Sequence, residues 1–165
     1  MAKNIQIQNS IHPAGKKYPE AVLHLNVYLE RYFEYLDIKS DYLNILLVKT
    51  IRKIVHSGFR QNLFFGAVIE GNTLFGGTAE VTHDHCIRIN SLQLKKHDEN
   101  VAMALIAHEL AHDHLKHFKN WKCTLENEHS ADNLAREWGF NIDRFRKIFG
   151  PPLINSRLLQ IAVLN

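Results

Sequence analysis

The sequence has 165 residues, 45% hydrophobic and 22% charged, which is ordinary usage for one globular domain and excludes a disordered or fibrous chain. Lys and Arg number 20 against 17 Asp and Glu, and an excess of +3 scattered along the chain excludes nucleic acid or a membrane surface as the expected partner. Cys86 and Cys123 are too few for a disulfide framework or a four-cysteine zinc ribbon, so the unusual count is histidine, 11 of 165.

In chain order, Met1 to Ser10 lacks the apolar core of a secretory signal, and no apolar run approaches the roughly 20 residues of a membrane helix. A cytoplasmic protein without a membrane segment is therefore expected. After the turn signal His12-Pro13-Ala14-Gly15, Pro19 suits the first turn of a helix over about 19–36, with Val22, Leu25, Leu29, Tyr32, Phe33 and Leu36 at helical spacing. The aromatic residues Tyr28, Tyr32, Phe33 and Tyr35 are expected to pack into the core. Ser40 or Asp41 caps a second helix over about 42–56, stopped by Gly58.

Strand character follows. Leu63 to Ile69 is apolar, Gly71-Asn72 suits a tight hairpin, Thr73 to Thr82 returns, and Cys86 to Asn90 alternates. A three-stranded antiparallel sheet is expected, with His83-Asp84-His85 as a polar turn into its last strand. Helices are then expected over about 98–118, capped by Asp98, over about 125–138, ended by Gly139, and near 143–148, before Gly150-Pro151-Pro152 and a helical tail. The whole reads as one α+β domain over 1–165: a helical part to 60, a sheet and two helices to 140, and a C-terminal tail.

His108-Glu109-Leu110-Ala111-His112 is an H-E-x-x-H string. On a helix, at about 100° per residue, the two imidazoles lie roughly 40° apart on one face, one turn from each other, and both can reach one ion. Residues 101–111 are apolar almost all round, which marks a buried helix, and buried polar groups within it need partners that a metal would supply. A third His ten residues after His108 would complete the metzincin pattern, but Phe118 stands there. His114 and His117 lie about 140° or more from the ligand face if the helix continues unbroken. The better third ligand is Glu128, with Glu126, His129 and Asp132 as lesser candidates. Glu128 and Asp132 share a face with the small residues Ala131 and Ala135, which let two helices approach. Asp132 suits the acceptor for the far N–H of a ligand histidine.

H-E-x-x-H followed by the E-x-x-A-D of Glu128 to Asp132 resembles the gluzincin metallopeptidases. It is most similar to the group of the CaaX prenyl protease, its bacterial heat-shock membrane relatives and the soluble minigluzincins, over residues 86–140. The resemblance implies a zincin-like α+β fold, Zn²⁺ on His108, His112 and Glu128, Glu109 as general base, Asp132 behind a ligand, and a peptide or protein substrate. It also implies an edge strand at Ile87-Arg88-Ile89-Asn90 that takes an extended peptide. The chain departs from the membrane relatives in having no membrane helix, and no residue matches the family's transition-state-stabilising group, for which Arg144, Arg146 and Arg157 are the candidates. The ImmA/IrrE-type repressor-cutting proteases are a second resemblance, although they usually carry Asn where Asp132 stands. The rival from another class is a non-catalytic domain with a structural zinc.

Overall fold

Helix-forming residues with no Gly or Pro run from Glu99 to His114, and they form the helix on which the structure is built. The computed structural model describes residues 20–59, 61–119 and 124–152, with side chains from Leu25 onward. Its elements are α1 (Glu20–Leu29), β1 (Phe33–Asp37), α2 (Asp41–His56), β2 (Phe65–Glu70), β3 (Ala79–Thr82), β4 (Cys86–Ile89), α3 (Ser91–Leu94), α4 (Glu99–His114), a 3-10 turn (His117–Lys119), α5 (Leu125–Glu137) and α6 (Ile142–Phe149). The expected helical tail, Cys123 and Arg157 lie outside the described residues.

Helix α4 starts where the sequence says it should: the Asp98 carboxylate accepts from Val101 N at 3.2 Å. Every residue from Val101 to Asp113 is buried, because α4 packs on α2, α5, α6 and the sheet together. Ser40 caps α2, and Gly58 ends it with a left-handed φ of 83°. The turn after α5 uses Gly139 in the same way, at φ 86°.

The sheet departs from expectation. It is four-stranded and mixed, in the order β1-β2-β4-β3; β1, β2 and β4 are parallel and only β3 is antiparallel, against β4. The helix expected over 19–36 ends at Leu29, and 33–37 is a strand. Tyr32 O accepts from Phe65 N at 2.8 Å and Phe33 sits opposite Phe65, so ladder bonds with β2 outweigh the helical spacing of the apolar residues. Phe33 is buried as expected, whereas Tyr35 points outward.

Gly71-Asn72 makes no hairpin, since β2 and β3 do not pair. The tight hairpin joins β3 to β4 through His83-Asp84-His85, with His85 at φ 60°. Strand β4 is consequently interior and not an edge, and the two edge strands are β1 and β3. Cys86, Ile87 and Ile89 of β4 are all buried, which suits a strand flanked on both sides.

Gly66 is where this arrangement is tightest. A Cβ there would lie 2.1 Å from the His85 carbonyl oxygen, so only glycine lets β2 pass the hairpin. On the other side of α4, Ala131 and Ala135 are fully buried and let α5 pack closely, as their size suggests.

Candidate metal centre

His108 and His112 project from one face of α4, and Glu128 reaches them from the first turn of α5, whose start is fixed by Thr124 accepting from Asn127 N at 3.1 Å. The two imidazole Nε2 atoms are 3.0 Å apart. The Glu128 carboxylate faces both, Oε1 at 3.2 Å from His112 Nε2 and Oε2 at 3.4 Å from His108 Nε2. A tetrahedral ion with N and O ligands at about 2.0–2.1 Å needs ligand atoms about 3.3 Å apart. The three observed spacings bracket that edge, so this buried group fits a metal ion.

Each of the three side chains has a second contact. His108 Nδ1 lies 2.9 Å from Asp132 Oδ1. Arg146, from α6, places Nε and Nη2 at 2.8 Å from the two Asp132 oxygens, and Nη2 also at 3.0 Å from Glu128 Oε2. One guanidinium thus holds the Glu128 and Asp132 carboxylates in their orientation and balances one of their two negative charges. His112 Nδ1 meets His117 Nδ1 at 2.9 Å.

The electrostatics follow from this crowding. Burial opposes a charge on His108, but Asp132, Glu128 and Glu109 together lift its pKa to about 9. Burial likewise opposes ionisation of Glu128, yet the two imidazoles hold its carboxyl far below the usual carboxylate range. Asp132 is also depressed, against its burial, by His108 and Arg146. Burial and then the charge of His112 push His117 down to about 4, so it stays neutral.

The expected residues sort clearly. His108, His112 and Glu128 converge, and Asp132 stands behind His108. Glu109 is buried beside His108 in the chain, and its charge is felt there. Glu126 and His129 lie on the exposed side of α5, and Arg144 pairs with Asp98 at 2.8 Å, away from the ligands. His114 turns to Gln61, 3.0 Å away. Two roles were missed. Arg146 was expected only as a transition-state candidate, and its link to both carboxylates depends on where α6 packs. His117 was excluded by assuming an unbroken helix, but α4 stops at His114 and Lys116 adopts φ 61°, which folds His117 back onto His112. The histidine surplus just after the motif was the available signal.

A second polar cluster braces the end of α4. Asp113 is buried and accepts from Gly66 N at 3.0 Å; its other oxygen lies 3.0 Å from His85 Nε2. Burial raises the Asp113 pKa. His85 stacks on Phe118 with ring centres 4.3 Å apart.

Among the described residues, no helix is long and apolar enough to cross a membrane. No family model matches the sequence, and neither curated proteins nor solved structures give a significant match.

Proposed function

We propose that this chain is a zinc-dependent metallopeptidase of minimal gluzincin type, acting on peptide or protein substrates. The observation that carries the reading is the convergence of His108, His112 and Glu128 at tetrahedral spacing, with a buried glutamate following the first ligand. A His₂Glu set with Glu as neighbouring acid is a zinc-type donor set. Among the described residues the group has three donors, where a structural zinc takes four, which favours a catalytic role over the non-catalytic alternative. Zinc bound there would acidify water and polarise a substrate carbonyl.

The residues would divide the rest of the work. Glu109 would accept the proton released by the attacking water and return it to the leaving amine. Glu128 would supply the anionic ligand, with Arg146 and Asp132 fixing its direction and that of His108. The edge strand next to β4, β3, would take the extended peptide by strand addition, in place of β4.

Metal analysis and peptide-cleavage assays of three proteins test this. The wild type should hold about one equivalent of zinc, Glu128→Ala should lose it, and Glu109→Gln should keep it while losing cleavage. Zinc retained in Glu128→Ala would refute the ligand set. Cleavage unchanged in Glu109→Gln would refute the catalytic role.

A further inference from the structure

We propose that His117 is the positioning residue for His112: it accepts that ring's Nδ1–H and so directs the Nε2 lone pair at the metal. The proposal rests on reading His108, His112 and Glu128 as the metal-holding group. Two ring nitrogens 2.9 Å apart can bond only if one carries a proton and the other does not. His112 Nε2 faces His108 and Glu128 and must offer a lone pair to ligate. Its proton therefore sits on Nδ1, and His117 Nδ1 is the acceptor.

This fixes the tautomer of His117 as well. Its proton belongs on Nε2, which lies 3.4 Å from Ser130 Oγ. The Ser130 hydroxyl in turn donates to a main-chain carbonyl of its own helix, Glu126 O at 2.9 Å or Asn127 O at 3.0 Å, and either leaves a lone pair for His117. From α5 to the metal position, the ring protons of His117 and His112 each have one place.

The turn that carries His117 is itself held. Phe118 stacks on His85, His85 Nε2 lies 3.0 Å from Asp113 Oδ1, and Asp113 is bonded to β2 through Gly66 N. A rigid support of this kind keeps an orienting group within the narrow geometry that it must maintain. The two ligand histidines are thus served differently, His108 by a carboxylate from another helix and His112 by a neutral imidazole from the turn after its own helix.

The test uses the full chain and the variants His117→Leu and His117→Asn. The Leu side chain keeps bulk and removes the acceptor, whereas Asn offers Oδ1 near the place of Nδ1. Two readouts are taken: the His112 tautomer by ring ¹⁵N NMR in metal-free protein, and Zn²⁺ affinity by competition with a chromophoric chelator. The wild type should show His112 protonated at Nδ1. His117→Leu should mix the tautomers and bind Zn²⁺ about 10–100-fold more weakly, and His117→Asn should recover affinity to within about threefold. Unchanged affinity and tautomer in a folded His117→Leu would overturn the proposal. So would a wild-type His112 protonated at Nε2, a result that stands even if the Leu variant does not fold. A wild type that takes up no Zn²⁺ would refute the metal centre, while the tautomer would still decide the role of His117.

Discussion

The two halves of α4 are buried alike and are made of opposite materials. Val101 to Ala107 is apolar and meets the core formed by α2 and the sheet; His108 to Asp113 carries two histidines, a glutamate and an aspartate at similar burial. The apolar half needs only shape and volume from its neighbours. The polar half needs a named partner for each group, since an unpaired buried charge or donor is costly. Those partners come from β2, the β3–β4 hairpin, the 3-10 turn and α5, whose Asp132 is held in turn by Arg146 of α6. One helix is thereby both the centre of the core and the carrier of the site, and disturbance of the two halves should have different signatures.

The largest effect is expected where the brace of the polar half meets backbone. Gly66→Ala sets a Cβ against the His85 carbonyl and should separate β2 from the hairpin, costing above about 4 kcal/mol or preventing folding. Denaturant unfolding measures it, and a loss under about 1 kcal/mol would show that the hairpin yields easily.

Next is the response of the polar half to pH when metal is stripped. The folded pKa of His108, about 9, lies above its unfolded value of about 6.5. Its charged form therefore favours the folded state; this contribution is complete below pH 6.5 and is lost as pH rises through 9. Metal-free protein should lose at most about 3 kcal/mol over that window, and zinc-loaded protein should not show this slope because a ligating imidazole is already neutral. Melting temperatures at pH 6.5 and 9, with and without zinc, check this; identical slopes would remove the distinction between the halves.

The smallest effect belongs to the apolar half. Val101 is buried seven residues before His108, about 10 Å along the helix. Val101→Ala should cost about 2 kcal/mol of stability. Its zinc affinity should stay within about twofold of wild type. A larger change in affinity would mean that the halves are mechanically coupled.

How much was legible in the sequence follows the same division. The Asp98 cap, the apolar sweep of α4, the i,i+4 histidines and the i,i+4 pair Glu128 and Asp132 are local patterns, and a helix turns local spacing into geometry without outside help. The 19–36 segment was misread because Leu25, Leu29, Tyr32 and Leu36 keep helical spacing while the backbone from Phe33 onward finds better bonds along β2. The Gly71-Asn72 turn was misread because strand order depends on which neighbours cover both faces and both edges, and turn chemistry does not report that.

The sequence alone determined the helix that carries His108 and His112, the helix that carries Glu128, and the α+β character of the chain. Only the tertiary structure decided that β4 lies inside the sheet, that Arg146 ties Glu128 to Asp132, and that a break after His114 returns His117 to His112. The physical reason is range: periodicity places side chains relative to their own element, whereas partners for buried polar groups are supplied by other elements, whose docking depends on the whole core.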